Sequence, residues 1–406
     1  VQNMLAAALV EEGDRNEAAK VLDRLIASEP DFLAAIVNRA GLNPSPTALT
    51  DVLQQAVAAG ATSAQIFRQL AIESYVTGDI SSALEAARKT ASAEDRTDSD
   101  RLLVARILLA EMRTDEAADT LRNMSFSASV SPADRIYRLW LLSAAGDRDE
   151  AAAQATSIAV PQTDLNAGLM LADIFERAGD PENQLRVLAT LRRDHPADLA
   201  LTERYLLVLA AEDLDRAESL LEQQAGLNED VKNALGVRLL IEAGDKSAAQ
   251  AKMNALAPSA PLFAVEADGV EGEAARKEFL GRMARYAQAN PGDANILVLL
   301  SGVAIEVGDL ARAERALGAA LAAMPENPAV LNNLALARQK NAPEEALRLA
   351  AEAYNAVPDQ PAFAETFASI LVQTGDQARA GRVARRTLLA QPEAESLYPY
   401  RAFGTQ

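Results

Sequence analysis

Apolar residues, mostly alanine and leucine, recur along the whole chain in short stretches with helical spacing, and a turn or a proline closes each stretch. The stretch from Gly308 to Pro325 shows the unit: a Gly-Asp turn opens an alanine-rich helix that stops at the proline. Glycine permits the left-handed backbone that ends one helix, and the acidic residue beside it favours the N-terminus of the next. The pattern therefore predicts a helix-turn-helix unit.

The same turn is repeated at regular intervals. Gly-Asp pairs of this kind begin at positions 13, 78, 146, 179, 244, 308 and 375, so every gap is one or two units of 32 to 34 residues. Filling the double gaps predicts about twelve repeats in the 406 residues. A continuous period of this length indicates a repeat array rather than two or three globular domains.

The period is disturbed between residues 257 and 276, where two prolines, two glycines and four acidic residues occur close together. Two interpretations stay open: a distorted ninth repeat with a shortened first helix, or a hinge between two sub-arrays. We accordingly predict an N-terminal array over 1–256, an irregular repeat or hinge over 257–276, and a C-terminal array over 277–406. The tail from Tyr398 to Phe403 is expected to cover the last helix, because an array end has an unpaired apolar face.

Composition narrows the class of protein and of partner. Aromatic residues make up 4% of the chain and hydrophobic residues 49%, a balance typical of closely packed alanine-rich helices. The formal net charge of -19 disfavours nucleic acid and anionic lipid as partners. No apolar run reaches the length of a membrane span. Because the sequence begins with Val1 inside an apparent helix, we expect a longer protein whose upstream segments could include a signal peptide or an anchor.

Motifs for catalysis, metal binding or cofactor binding were sought along the chain. His195 is the single histidine and there is no cysteine, so neither a zinc site nor a thiol nucleophile is predicted. No phosphate-binding loop, nucleophile elbow or zinc-protease helix occurs. We predict a protein that is not an enzyme and that needs no cofactor.

The units resemble tetratricopeptide repeats, the 34-residue helix-turn-helix motif. The residues that carry this resemblance are Leu300, Ser301, Gly308, Asp309, Ala313, Ala320 and Pro325 in the most regular unit, with Leu70, Ala71, Tyr75 and Ala83, or Leu171, Ala172, Phe175 and Gly179, in the same slots elsewhere. The second, fourth, seventh and ninth units depart from the pattern. The resemblance implies an all-α, right-handed α-solenoid whose first helices line a concave groove that binds a protein or peptide.

First-helix spacing nominates the residues that face this groove. They are Gln65, Arg68, Ile72, Arg106, Tyr137, Trp140, Asp173, Arg177, Arg238 and Glu365. Trp140, the only tryptophan, could anchor a partner or pack between helices, and we favour packing. A basic strip of Arg379, Arg382, Arg385 and Arg386 could dock an acidic partner, close the array end, or be a solvated face that complements the helix dipole, which we favour.

A second resemblance covers Asn327 to Gln391. The stretches Asn332-Asn333-Leu334-Ala335 and Pro343-Glu344-Glu345-Ala346-Leu347 look like the C-terminal repeats of bacterial repeat proteins of the PEP-CTERM system and of exopolysaccharide export. This resemblance implies a scaffold in a cell-envelope assembly, periplasmic or envelope-associated. Two alternatives stay open: a cytoplasmic adaptor or chaperone-like peptide binder, and an array that presents substrate to a larger enzyme. The partner and the oligomeric state cannot be predicted.

Overall fold

The computed structural model describes residues 1–124 and 130–405, and the secondary structure of these residues is entirely helical. They form 25 α-helices and two short 3-10 helices, without a β-strand in the described ranges. In chain order the α-helices alternate as twelve first helices and twelve second helices, with α25 after the last of them, and we count each first helix with the second helix that follows it as one pair. The predicted fold class is confirmed: the chain is an all-α solenoid of tetratricopeptide-like repeats.

The first helices of the twelve pairs are α1 (Gln2–Glu11), α3 (Leu33–Leu42), α5 (Ala64–Thr77), α7 (Leu103–Ala110), α9 (Pro132–Ala144), α11 (Leu165–Arg177), α13 (Leu199–Glu212), α15 (Glu229–Glu242), α17 (Ala260–Ala267), α19 (Ala294–Glu306), α21 (Pro328–Arg338) and α23 (Pro361–Gln373). The second helices are α2 (Arg15–Ser28), α4 (Ala48–Ala58), α6 (Ile80–Ser92), α8 (Thr114–Arg122), α10 (Arg148–Ala155), α12 (Pro181–Asp194), α14 (Leu214–Glu222), α16 (Lys246–Ala255), α18 (Glu273–Ala289), α20 (Leu310–Ala323), α22 (Pro343–Ala356) and α24 (Gln377–Ala390). A 3-10 helix over Ser99–Leu102 precedes α7, and another over Glu395–Leu397 leads into α25 (Tyr398–Arg401).

The turn between α19 and α20 shows the predicted Gly-Asp chemistry. Gly308 adopts a φ of 78°, and the Oδ1 atom of Asp309 accepts a hydrogen bond of 3.1 Å from the backbone N–H of Arg312. This bond satisfies one of the free donors at the start of α20. In the fourth pair Met112 takes the glycine position with a φ of 58°, a left-handed conformation that is strained for any residue with a Cβ atom.

Polar contacts between consecutive repeats add to the packing of small apolar residues. Asp31 Oδ1 accepts hydrogen bonds of 2.9 Å from the backbone N–H groups of both Thr62 and Ser63, at the start of α5. Asp95 Oδ1, which follows Ala64 by 31 residues, accepts a bond of 2.8 Å from the N–H of Ala64. The N-terminus of a first helix is therefore held by acidic side chains that lie before and after it in the chain.

The chain divides into two compact units. The first consists of Val1–Arg148 together with Leu371–Gln406, and the second consists of Asp149–Ile370. The irregular stretch lies within the second unit, where α17, with eight residues, packs on α15 and α19 as the short first helix of the ninth pair. The boundaries drawn from the sequence at 256 and 277 do not coincide with these units and stay a prediction about sub-arrays.

Candidate protein-binding surface

The first helices of the third and fourth repeats hold a segment from the far end of the chain. Helix α24 packs against α5 and α7 within the first unit, and α25 packs on α24. We use "α5–α7 surface" for the residues at the C-terminal ends of these two helices that receive the segment, with Arg106 one turn earlier. They are Glu73, Tyr75, Val76, Gly78, Arg106, Ala110 and Glu111. We call residues 377–405 the C-terminal segment.

Arg385 is the central contact of this arrangement. Its side chain is fully buried, and its Nε atom donates a hydrogen bond of 3.0 Å to the carbonyl oxygen of Val76, at the end of α5. Its Nη1 atom donates to the carbonyl oxygen of Phe403 at 3.0 Å and also to that of Arg401. Burial lowers the pKa of this guanidinium, and the nearby Tyr75 and Glu111 act in the opposite direction. One buried cation thus joins α5, α24 and the tail.

Tyr75 and Glu111 link α5 to the end of α7 beneath the C-terminal segment. The Tyr75 hydroxyl donates a hydrogen bond of 3.0 Å to Glu111 Oε1. Burial raises the pKa of Tyr75 well above its usual range, and the charge of Glu111 adds to the effect. Arg401 of the tail lies 3.9 Å from Glu111 Oε2 and donates a bond of 3.4 Å to the carbonyl oxygen of Ala110.

Arg106, predicted to face the groove, binds the C-terminal end of α24. Its Nε and Nη2 atoms donate to the carbonyl oxygen of Leu389 at 3.0 and 2.7 Å. The carbonyl groups in the last turn of a helix lack partners within the helix and carry partial negative charge, so a guanidinium satisfies them both as donor and as cation. Arg106 therefore caps the C-terminal end of α24 at Leu389, a residue 283 positions later in the chain.

Two glycines allow the tail to approach this closely. A Cβ atom on Gly78 would lie 2.8 Å from the carbonyl oxygen of Gly404 and 2.9 Å from the Cα atom of Thr405. A Cβ atom on Gly381 of α24 would meet the carbonyl oxygen of Phe403. A side chain at either position would force the tail to move, since both contacts are with backbone atoms.

The other groove candidates of the first unit lie on α5 and α9, where Arg68, Tyr137 and Trp140 make local contacts. Arg68 Nε is 2.9 Å from Asp100 Oδ1, an ion pair between the third and fourth repeats that lacks hydrogen-bond geometry. Gln65 is exposed and Ile72 is half-buried. Trp140 is 7% exposed and stacks on Tyr137 with a centroid distance of 6.2 Å. Its burial agrees with the packing interpretation.

The candidates of the second unit form a ladder of ion pairs between consecutive first helices. Arg204 Nη2 of α13 is 2.5 Å from both Asp173 Oδ1 and Glu176 Oε2 of α11. Arg238 of α15 pairs with Glu203 of α13. Burial works to lower the pKa of Arg204, but its hydrogen bonds and charge pairing with Asp173 and Glu176 outweigh burial and raise it.

The second unit contains two more of the predicted groove residues. Arg177, at the end of α11, and Glu365, on α23, are both half-buried. The ladder thus includes Asp173 and Arg238, and its other members are Glu176, Glu203 and Arg204.

The residues of the basic strip have different environments, which corrects the preferred interpretation. Arg379 and Arg386 are exposed and Arg382 is half-buried, but Arg385 is fully buried. A solvated face shared by all four arginines is therefore wrong. The reason is that α24 is not an outer helix at this position: the α5–α7 surface covers the side that carries Arg385.

Several contact residues were missed by the sequence analysis, namely Glu73, Glu111, Glu176, Glu203, Arg204 and Arg401. Some could have been found, because Asp173 and Arg204 are opposite charges 31 residues apart, close to one repeat. Glu111 and Arg401 follow no period, so no local pattern connects them.

A cavity of about 440 Å³ lies among α16, α17 and α18, lined by residues such as Met253, Leu262, Phe263 and Tyr286. The ring of Phe263 meets that of Tyr286 edge to face, with a centroid distance of 5.4 Å. Within the described ranges, no group of histidine, cysteine or acidic residues could hold a metal ion. No helix in the same ranges is both long and apolar enough to cross a membrane.

Comparisons with known proteins give similarities to solved structures only. No protein-family model matches the sequence, and no curated protein matches it either. A chain of the Naa15/Naa10 complex bound to HypK-THB aligns with a TM-score of 0.38 and 15% identity over 94% of this chain and 62% of that chain. The chain thus spans less than two thirds of the length of that protein.

Two further solved structures are similar at the same level. The APC/C hetero-tetramer Cut9-Hcn1 gives a TM-score of 0.39 and 14% identity, over 99% of this chain and 84% of that chain. Yeast Tom70 gives a TM-score of 0.38 and 12% identity, over 98% of this chain and 95% of that chain. These similarities concern the arrangement of helical repeats and do not extend to function.

Proposed function

We propose that this chain is a non-catalytic protein–protein interaction scaffold that binds helical segments on the surfaces of its first helices. One observation carries the proposal: α24 is bound on α5 and α7 through Arg385 and Arg106, both of which reach backbone carbonyl oxygens across the contact. Binding of this kind needs an exposed row of first helices and no reacting group.

We place this scaffold in a bacterial cell-envelope assembly for polysaccharide synthesis or export, periplasmic or envelope-associated. The support is the resemblance of Asn327 to Gln391 to the repeats of such proteins. The acidic chain, with a net charge of -19, favours a protein partner with basic groups over nucleic acid.

Site-specific crosslinking in the native cell tests both parts. A photoreactive residue is placed at Gln65 on first helix α5 and, as a control, at Glu85 on second helix α6, since both side chains are exposed. We expect adducts with envelope synthase or export subunits from position 65 and few from position 85. Equal yields from both positions would contradict binding through first helices, and a spread of unrelated soluble proteins would contradict the envelope setting.

A further inference from the structure

The α5–α7 surface has a definite recognition chemistry. It offers carbonyl oxygens at the ends of two helices, on Val76 and Ala110, and the carboxylates of Glu73 and Glu111. These carbonyl oxygens and carboxylates accept hydrogen bonds and attract cations. Arg106, in contrast, donates hydrogen bonds to the last turn of a bound helix. The surface is thus complementary to a helix that carries arginines and ends against it.

The C-terminal segment has the matching chemistry. Along one face of α24, Gly381, Arg385, Leu388 and Leu389 are all buried, at the i, i+4, i+7 and i+8 spacing of a docked helix. Glycine permits the close approach, arginine reaches the carbonyl oxygens, and the helix end meets Arg106. Arg401 then adds a second guanidinium from the tail.

The polar part of the contact can be exchanged for an equivalent one, while α24 also buries apolar residues such as Val383, Leu388 and Leu389. Its buried guanidinium depends on geometry that any correctly placed arginine can reproduce, whereas removal without replacement leaves unsatisfied carbonyl groups. Arg386, at the edge, is more than half exposed and 3.7 Å from Glu73 Oε1, so the rim contributes little that is specific to this chain.

We propose that the α5–α7 surface is a receptor for an arginine-bearing helix with a glycine four residues before the arginine, and that the C-terminal segment occupies this receptor in cis. A partner protein that presents the same helix displaces the segment. This inference rests on the proposed scaffold function, because it names the chemistry of the partner and the element with which the partner competes.

Occupation in cis predicts a masked receptor. The apparent affinity for a competing helix is reduced by the small fraction of molecules whose receptor is free. Weakening only the cis segment should therefore tighten the binding of an added helix, although no contact between receptor and added helix has changed.

The probe is a fluorescein-labelled peptide of residues 376–405, measured by fluorescence anisotropy against the full chain. Three variants are compared with the wild type: Arg385→Gln in the cis segment, the same change combined with Arg106→Gln in the receptor, and Arg348→Gln on α22 as a matched charge control with an exposed side chain. We expect Arg385→Gln to bind the peptide about tenfold or more tightly than the wild type. The gain should disappear with Arg106→Gln and be absent in Arg348→Gln.

A second measurement uses only the wild-type chain, so it does not depend on how the variants fold. Excess unlabelled peptide should increase hydrogen exchange of the α24 amides, and a peptide in which the arginine at 385 is replaced by glutamine should not. Equal peptide binding by the wild type and Arg385→Gln, or unchanged exchange in α24, would overturn the proposal. If the peptide experiments fail but crosslinking from position 65 succeeds, the receptor is rejected and the scaffold function stands. If the peptide experiments succeed but crosslinking fails, the envelope partner is rejected and the receptor stands.

Discussion

The Nε atom of Arg385 lies 3.0 Å from the carbonyl oxygen of Val76, a residue 309 positions earlier in the chain. The same guanidinium is completely enclosed, although the net charge of the chain is -19 and its carboxylates far outnumber its cations. A buried arginine that binds mainly carbonyl oxygens positions backbone segments relative to one another. Arg385 therefore joins the two separate stretches of chain that make up the first unit.

Replacement of Arg385 should loosen the C-terminal segment. In Arg385→Ala the carbonyl oxygens of Val76 and Phe403 lose their donor inside the protein, and we expect a cost of roughly 3 kcal/mol. Arg386→Ala is the matched control, because the Arg386 side chain is more than half exposed and makes a long ion pair of 3.7 Å with Glu73. Its cost should stay below about 1 kcal/mol. Hydrogen exchange of residues 377–405 measures both, and equal exchange in the two variants would contradict the central role of Arg385.

Gly78 should be sensitive to substitution for two separable reasons. Gly78→Ala places a Cβ atom both on a backbone with a φ of 96° and against the tail at Gly404 and Thr405. Gly244→Ala has the same kind of backbone strain, with a φ of 82°, but no atom within 4 Å of the new Cβ. Both should lose about 1 kcal/mol from strain.

Only Gly78→Ala should expose the tail. Limited proteolysis near residues 398–405 distinguishes the two variants, since cleavage should accelerate in Gly78→Ala and be unchanged in Gly244→Ala. Similar cleavage of both variants would show that the close approach of the tail has no energetic importance.

Glycine at position 112, in the turn of the fourth pair, should stabilise the folded chain. Met112 adopts a φ of 58° and its side chain is 53% exposed, so Met112→Gly removes strain while little packing is lost. We expect the free energy of unfolding to rise by about 1 kcal/mol, measured by urea denaturation. Met324→Gly is a useful contrast, because Met324 has a φ of -137° and glycine there should not stabilise the chain. A loss of stability in Met112→Gly would contradict the strain argument.

Asp95 should make stability depend on pH at the acid side. Hydrogen bonds from the backbone N–H of Ala64 and the hydroxyl of Ser63 hold the pKa of this carboxyl below its ordinary value of 3.8. Because the pKa of Asp95 is lower in the folded chain, its carboxylate stabilises the fold fully above pH 3.8. This stabilisation is lost as the pH falls through the folded-state pKa. The wild type should therefore exceed Asp95→Asn in stability at pH 7, and the difference should shrink in acid.

A direct NMR titration of the Asp95 carboxyl provides the check. Ser63→Ala removes one donor, so the pKa of Asp95 should return part of the way towards 3.8 in that variant. Titration of wild-type Asp95 at or above 3.8 would contradict the hydrogen-bonded geometry.

Local features of the chain were determined by sequence alone. The Gly-Asp pairs predicted the turns, because a positive φ at a residue such as Gly308 and an N-cap such as Asp309 depend on neighbouring backbone only. The spacing of these pairs predicted the number of helix pairs. Even the departure at Met112 kept the left-handed turn, although Arg113 at the start of α8 makes no side-chain capping bond.

Contacts between distant repeats were decided by tertiary structure. The arginines at 379, 382, 385 and 386 share one helix and one charge, and nothing local shows that Arg385 is buried while Arg386 is exposed. That difference arises when α24 meets α5 and α7, and the sequence separation of Arg385 and Val76 has no relation to the repeat period. A period encodes contacts between neighbouring repeats, whereas the contact of α24 with α5 and α7 joins residues that are distant in sequence and is visible only in the folded unit.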